Sequence, residues 1–289
     1  MEMFTISNAL DSFTPWGYYI ADNDGTNNHA VIWWKLSEDE YRALMKMLEV
    51  LSVFRDCYSV KEMLLESEND IICYFSTIST RFIPPDDLVV APYLITANKL
   101  LMHYLSFLKT FFDVVSNKIS KSYKKELSAF QEYNNKLYDD LFGYRFLTRL
   151  RNYAIHWEMP LKHIGVSSSN GIQITCQKSA LLGFSGWSTV RSEICSLTDS
   201  IDVVPYIEDS KKAILRLYTK ALEILKCDVC SLKIHFEKMN FGSTIKHPVI
   251  IKTGETIHKL EIESLPIYYL DLFFSELKLY SEYKENGSQ

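Results

Sequence analysis

Residues 141–160, near the middle of the chain, have the pattern of a helix with one apolar side and one polar side. At about 3.6 residues per turn, the polar side is a narrow stripe of Arg145, Arg149, Asn152 and His156. The apolar side is predicted to pack against other helices, and it consists of Phe146, Leu147, Leu150, Tyr153, Ala154 and Trp157. Pro160 ends the pattern, because proline has no backbone N–H and disrupts a helix. Such a helix needs neighbours that cover its apolar side, so the stretch predicts a helical domain.

Other stretches of the sequence support a mainly α fold. Apolar residues at helical spacing predict further helices over 37–56, 60–80, 90–119, 123–141, 209–239 and 265–279. Runs of β-branched and aromatic residues at 16–20 and 30–34 flank a turn-rich segment and predict a hairpin. A second small hairpin or irregular elaboration is predicted within 161–207, and a strand over 249–251. The predicted fold is therefore an antiparallel helical bundle with small β-hairpin elaborations.

The same patterns divide the chain into four consecutive segments. They are an N-terminal irregular or β segment (1–36), a helical core (37–160), a β or irregular insertion (161–207) and a returning helix with a C-terminal elaboration (208–289). The polar stripe lies in the last helix of the predicted core. Any chemistry that it carries would therefore be held by the bundle.

The end of this helix resembles the signature of a known superfamily. Arg151, Asn152 and His156 occur in the sequence RNYAIH, which is similar to the R-x4-H motif of HEPN domains, including the polar residue after the arginine. The motif also comes late in a helix that follows two or three long helices, as it does in those domains. The resemblance covers roughly residues 37–160 and implies a helical bundle of HEPN type.

This resemblance implies a metal-independent RNA endonuclease. The 2′-hydroxyl would attack the neighbouring phosphate and leave a 2′,3′-cyclic phosphate and a 5′-hydroxyl. His156 would act as the general acid or base, because the pKa of histidine lies near neutrality. Arg151 would stabilise the developing phosphate charge with its planar, permanently charged guanidinium, and Asn152 would position the reacting groups. Arg145 and Arg149 lie outside the motif, and they are candidate contacts to the RNA backbone.

The resemblance also implies partners. One helix supplies one histidine, so a homodimer that brings two such helices together would form a composite site for RNA. A role as a toxin or antiviral-defence effector follows from the resemblance, and a regulatory or antitoxin partner is compatible with that role. The chemistry requires no metal and no cofactor.

Composition sets further bounds on function and location. The chain has 289 residues and a formal net charge of −5, so it has no overall basic character. Residues 109–151 nevertheless contain nine basic and five acidic side chains, which gives this segment a local charge of +4 and could favour contact with phosphates. The six cysteines are too few and scattered for a disulfide scaffold, and Cys227 and Cys230 have no second pair at zinc-binding spacing. We expect a cytoplasmic protein, since there is no signal peptide and no membrane-spanning apolar run.

Two other interpretations remain open. The chain could be a catalytically inactive HEPN-like module that binds a nucleotide or a partner protein through the same cleft. It could also be a structural scaffold in which the polar stripe is a salt-bridged surface. Glu158 stands where some HEPN toxins have a tyrosine, two residues after the histidine, and this difference argues against membership of that toxin subgroup.

Overall fold

The structure of this chain is a computed structural model, and helices form most of it. It describes residues 4–5, 17–23, 28–35, 38–80, 90–167, 171–238, 248–253, 260–264 and 267–285. Eight α-helices and eight β-strands lie within these ranges. The prediction of a mainly helical fold with small antiparallel hairpins is confirmed. None of the helices described there contains an apolar stretch long enough to cross a membrane.

The helices and strands have the following bounds. The helices are α1 (Glu38–Ser79), α2 (Val90–Ser122), α3 (Leu127–Asp140), α4 (Phe142–His156), α5 (Lys178–Leu182), α6 (Val190–Ser196), α7 (Val204–Lys238) and α8 (Ile267–Glu285). The strands are β1 (Phe4–Thr5), β2 (Gly17–Asn23), β3 (Asn28–Lys35), β4 (Leu161–Ser167), β5 (Gly171–Gln177), β6 (Ser200–Ile201), β7 (Pro248–Thr253) and β8 (Leu260–Ser264). A short 3-10 turn covers Ser185–Trp187.

The chain divides into two compact units, each built from segments that are distant in sequence. The first unit contains residues 1–55 and 225–279, and the second contains residues 56–224 and 280–289. This division differs from the four consecutive segments predicted from the sequence. The stretch that carries the polar stripe lies in the second unit.

The first unit contains a five-stranded sheet. Its strand order is β1-β3-β2-β7-β8, and every neighbouring pair is antiparallel except β1 with β3. The predicted hairpin is β2 paired with β3, in which Tyr18 lies opposite Trp34 and is followed by a register shift. The predicted strand over 249–251 is part of β7. Residue 16, which begins the predicted hairpin, lies outside the described residues.

The prediction of two separate helices over 37–56 and 60–80 is wrong, because α1 is one continuous helix of 42 residues. The connecting residues contain neither proline nor glycine, so nothing in the backbone chemistry ends the helix there. Cys57 and Val60 are both buried, which means that the apolar face also continues through this point. The other helices of the predicted core, α2 to α4, lie close to their predicted positions.

The core of the second unit is organised around α4. This helix packs against both α2 and α3, and α2 also contacts β4. Five of the six residues predicted for its apolar side are buried, namely Phe146, Leu147, Leu150, Tyr153 and Ala154. The indole of Trp187 is fully buried and stacks on Phe146 and Tyr153, with centroid distances of 5.9 and 5.7 Å. Its N–H donates to the carbonyl of Leu181 at 2.5 Å.

The second unit also has a small antiparallel sheet. It contains three strands in the order β4-β5-β6, and Ile164 lies opposite Ile174 in the β4–β5 pair. The hairpin predicted within 161–207 is therefore confirmed. At the other end of the core, α4 approaches α7 closely at Gly143, where a Cβ would lie 2.6 Å from the Cβ of Asp209. No side chain fits at this position without moving the two helices apart.

The tip of the β4–β5 hairpin is expected to tolerate no side chain at Gly171. This residue has a φ of +62°, and a Cβ there would lie 1.9 Å from the backbone oxygen of Ser79. Gly171→Ala should lower the free energy of unfolding by at least about 2 kcal/mol, measured by urea denaturation. Gly165→Ala is the matched control, because its Cβ would lie 3.9 Å from the nearest atom, on His163. Equal stability of the two variants would contradict this account.

A buried carboxylate between α1 and α7 should make stability depend on pH. Glu68 is 4% exposed, and it accepts a hydrogen bond from Lys211 at 2.9 Å, while its second oxygen has no partner. Burial raises the pKa of Glu68 above its usual value of 4.5, despite the opposing effect of Lys211. The folded state therefore favours the protonated form.

The stabilisation linked to this protonation is complete below the ordinary pKa and is lost as the pH rises through the raised pKa of the folded state. Glu68→Gln cannot titrate at this position. Its free energy of unfolding should therefore rise relative to that of wild type as the pH increases above about 4.5. Chemical denaturation across this pH range measures the difference. Glu66→Gln, which removes an exposed carboxylate from the same helix, is the control. A constant difference between Glu68→Gln and wild type would contradict the prediction.

Candidate functional site

A cavity of about 380 Å³ lies between α2, α3 and α4. It is lined by Leu105, Leu108, Lys109 and Phe112 from α2, Asn134, Asn135 and Tyr138 from α3, and Tyr144, Thr148, Arg149, Arg151 and Asn152 from α4. No lining residue has a carboxylate. Cations, amides, hydroxyls and aromatic rings therefore supply all the functional groups beyond the aliphatic side chains.

Two of the three motif residues lie in this cavity wall. Arg151 and Asn152 are adjacent in α4, and each is partly exposed. The Nε–H of Arg151 is buried and has no hydrogen-bond partner among the described residues. Buried donors in proteins nearly always have a partner, so leaving this donor unpaired costs stability.

Arg149 also faces the cavity, and a tyrosine from α3 orients it. Its Nε donates to the hydroxyl of Tyr138 at 2.9 Å, so the guanidinium lies across the α3–α4 contact. This bond leaves the terminal nitrogens as the remaining donors of Arg149. They are suited to a planar acceptor pair such as a phosphate or a base edge.

A third hydrogen bond fixes an amide in the same wall. The hydroxyl of Tyr144 donates to Oδ1 of Asn134 at 2.8 Å. Burial raises the pKa of Tyr144, so its hydroxyl stays protonated and continues to donate. The Nδ2 group of Asn134 is then the end of the amide that can serve a ligand.

Lys109 contributes a further cation, but it already has a counterion. Its ammonium forms an ion pair with Asp113 one turn along α2, and both side chains are substantially exposed. An exposed pair of this kind contributes little to stability. The positive character of the cavity therefore comes mainly from Arg149 and Arg151.

Arg145 was predicted to contact the RNA backbone, and the structure instead gives it a structural role. Its Nε and one terminal nitrogen donate to the carboxylate of Glu193 at 3.2 and 2.5 Å. The other terminal nitrogen donates to the carbonyls of Tyr138 and Asp139, each at 2.6 Å. The side chain is 12% exposed. These bonds occupy most of the donors of Arg145, so few remain for a phosphate.

His156 does not lie with the other predicted site residues. It is the last residue of α4, its side chain is exposed, and it does not line the cavity. It lies five positions after Arg151, so the two side chains leave the helix about 140° apart. The four residues of the polar stripe therefore have different surroundings. Arg145 is held by other parts of the protein, Arg149 and Asn152 line the cavity, and His156 is exposed.

Trp157 was predicted on the buried side of the helix, and this prediction is wrong. The indole is 58% exposed. The helix ends at His156, and Trp157 has φ and ψ of −128° and −76°, so its side chain no longer follows the helical face. One side of the ring still meets Phe184, at a centroid distance of 6.2 Å. An exposed indole therefore follows directly after the exposed imidazole.

Glu158 is held by two partners. Its carboxylate accepts a hydrogen bond from Tyr153 and forms an ion pair with Lys162. Hydrogen bonds from Lys162 and Tyr153 lower the pKa of Glu158 below its ordinary value. The carboxylate is therefore charged at neutral pH, but Lys162 offsets part of its repulsion for a phosphate near His156.

Sequence analysis missed the cavity residues that come from α2 and α3. Phe112, Asn134, Asn135 and Tyr138 line the same space as the motif residues. Their spacing within their own helices is ordinary, so no local pattern could have identified them. Only the packing of α4 against both helices brings them together.

The described part of the chain contains no group of three histidine, cysteine or acidic side chains that could hold a metal ion. Cys227 and Cys230 both lie in α7, and neither belongs to such a group. All six cysteines are free thiols.

Comparison of the chain with protein-family models, with curated proteins and with solved structures gives no significant match. The similarity to the R-x4-H superfamily therefore depends on the motif and its helical setting.

The structural role of Arg145 gives a prediction about stability. Arg145→Lys keeps the charge but cannot bridge Glu193 and the two α3 carbonyls with one planar group. We expect the free energy of unfolding to fall by about 1–3 kcal/mol, measured by chemical denaturation. Arg149→Lys is the control, because it loses one side-chain hydrogen bond, to Tyr138. A larger loss in Arg149→Lys than in Arg145→Lys would contradict this role.

Proposed function

We propose that this protein is a metal-independent RNA endonuclease of HEPN type. The observation that carries the proposal is the cationic cavity beside α4, whose wall contains Arg151 and Asn152 and no carboxylate. A phosphate bound there would lie near Arg149 and Arg151, and no acidic side chain of the wall would repel it. His156, at the end of the same helix, supplies an imidazole, the side chain that most often serves as a general acid or base.

In this proposal the chemistry is a transesterification within the RNA. A histidine takes the proton of the 2′-hydroxyl, the 2′-oxygen bonds to phosphorus, and the bond to the 5′-oxygen breaks as a second histidine gives that oxygen a proton. The products are a 2′,3′-cyclic phosphate and a 5′-hydroxyl. Arg151 stabilises the additional negative charge on the phosphorane, and Asn152 positions the phosphate.

Because His156 lies outside the cavity, the proposal includes a homodimer in which a second copy of the chain supplies the histidine. Its imidazole is exposed and lies outside the cavity, so a phosphate in the cavity of one copy would need a histidine from elsewhere. A two-fold homodimer supplies that histidine and provides both an acid and a base. Ile155, Trp157 and Met159 around it are 45, 58 and 50% exposed, and exposed apolar groups of this kind favour a protein contact.

A second candidate function is supported by the same position of His156. If no second copy brings an imidazole to the cavity, the protein would bind a nucleotide or RNA without cleaving it. A role as a toxin or antiviral-defence effector belongs to the first candidate, and its only support is the resemblance of the motif.

The proposal predicts RNA cleavage in the presence of a chelator. Purified protein incubated with RNA and EDTA should give products with 2′,3′-cyclic phosphate and 5′-hydroxyl ends. His156→Ala and Arg151→Ala should each lower the rate by about 100-fold or more, because each removes a group that acts in the transition state. Gel analysis of labelled RNA gives the rates, and enzymatic end-labelling identifies the termini.

The matched control is His163→Ala, which removes an imidazole from β4 that does not line the cavity and should keep wild-type activity. Equal cleavage by wild type and both site variants would assign the activity to a contaminant. Binding of RNA without cleavage, by a protein that is dimeric at the assay concentration, would reject the first candidate in favour of the second.

A further inference from the structure

An open apolar groove lies next to the cavity of α2, α3 and α4. Its volume is about 680 Å³, and it is lined by Leu94, Ile95, Asn98, Lys99 and Met102 from α2 and by Met159, Leu161 and Lys162 after α4. We propose that this groove receives Trp157 from a second copy of the chain in a two-fold dimer. The inference rests on the homodimer of the proposed function, and it identifies the surface through which the two copies meet.

The one amide in the groove wall is already engaged within the chain. Nδ2 of Asn98 donates to the carbonyls of Leu94 and Leu161 at 2.9 and 2.8 Å, and Oδ1 accepts from the N–H of Leu161 at 3.1 Å. These bonds fix the start of β4 against α2, so the groove is formed before a partner arrives. The rest of the wall is aliphatic or thioether, apart from two exposed lysines. It therefore suits an apolar group of a partner.

Large apolar side chains are exposed at the groove and beside it. Ile95, in the groove wall, is 68% exposed, and Ile155, Trp157 and Met159 are also exposed. Exposed apolar side chains that lie together mark contact surfaces. Met102 and Met159 both line the groove, and methionine adapts its shape to an aromatic ring and makes favourable sulfur contacts with it. An indole is therefore a suitable occupant.

A two-fold contact needs a surface that is complementary to itself. Met159 lines the groove and lies two residues after Trp157, so the groove and the exposed indole are neighbours on one surface. In a two-fold dimer each indole would enter the groove of the other copy, and every contact would occur twice. The backbone N–H of Trp157 donates to the carbonyl of Tyr153 at 2.9 Å, and one side of its ring meets Phe184. The indole is therefore held in place for this contact.

The charges of the two parts are also complementary. The described residues of the groove wall include Lys99 and Lys162 and no acidic side chain. Glu158 follows Trp157 directly, so it would approach the groove of the other copy together with the indole. Lys162 already pairs with the Glu158 of its own copy, which leaves Lys99 as the cation for the partner's carboxylate. Opposite charges placed in this way favour one orientation of the two copies.

This dimer would bring a histidine to the cationic cavity. The groove and the cavity are lined by one face of α2, whose residues recur three or four positions apart, namely Leu94, Asn98, Met102, Leu105, Lys109 and Phe112. Met102 and Leu105 are about 4.5 Å apart along the helix axis, so the groove ends where the cavity begins. Because His156 directly precedes Trp157, the partner's imidazole would lie near the cavity when the indole fills the groove.

Sedimentation velocity of the full chain without RNA tests the surface. Wild type should be a dimer at micromolar concentration. Trp157→Ala should raise the dissociation constant at least about 30-fold, as expected for a large aromatic residue at the centre of an interface. Met102→Lys keeps the length of the side chain but places a charge in the groove, and it should have a similar effect. A monomeric wild type would overturn the inference, as would two variants that dimerise as strongly as wild type.

Met63→Lys is the matched control. It makes the same change at an exposed methionine of α1 outside the groove, and it should keep the wild-type dissociation constant. Lys99→Glu places a carboxylate opposite the partner's Glu158, and it should weaken the dimer about tenfold or more. Circular dichroism checks that each variant keeps its helices. An effect of Met63→Lys as large as that of Met102→Lys, or none of Lys99→Glu, would overturn the inference.

A photo-crosslinking amino acid at position 157 identifies what this side chain touches. Irradiation should give a product with the mass of two chains. Mass spectrometry should locate the second attachment within residues 94–102 or 159–162 of the other copy. Attachment to a different region of the partner, or to RNA when RNA is present, would overturn the inference.

Cleavage assays on the same proteins separate this inference from the proposed function. A dimer that depends on Trp157 and Met102 but does not cleave RNA would reject the endonuclease and support the contact surface. Cleavage by a wild-type chain that stays monomeric would overturn the inference.

Discussion

The rotation of α4 about its own axis depends on a stack of three aromatic rings. Trp187 packs between Phe146 and Tyr153, which are two turns apart on the helix, and its N–H is held by the carbonyl of Leu181. Large buried rings have few alternative packings in a close-packed interior. With this side of α4 fixed, Arg149, Arg151 and Asn152 can only face α2 and α3. The apolar core therefore positions the polar cavity.

The arginines of α4 illustrate how environment divides side chains of one type. Arg145 meets a carboxylate and two backbone carbonyls, and it holds α4 to α3 and α6. Within the described part of the chain, Arg149 has one side-chain partner, the neutral Tyr138, and Arg151 has a buried nitrogen without a partner. Positive charge that is not neutralised locally creates an attractive potential for anions. The chain as a whole has a formal net charge of −5, so this attraction is local and is not a property of the whole chain.

The sequence predicted the helices better than it predicted the site. The apolar face of α4 and the positions of α2 and α3 follow from periodicity, which depends on local spacing. The single helix α1 was predicted as two helices, although residues 57–59 include no residue that breaks a helix. The exposure of Trp157 depends on where α4 ends, and helix ends are less strongly encoded than helix faces. The α3 side of the cavity depends on packing between helices, which one sequence does not record.

The buried position of Trp187 has a consequence for how this chain could have diverged. Residues 161–207 look like an appendage in the sequence, yet they supply the indole that covers Phe146 and Tyr153. A distant relative without this appendage would have to fill or remove the same space. We therefore expect positions 146, 153 and 187 to change together during evolution, with smaller or more polar residues at 146 and 153 wherever the tryptophan is lost.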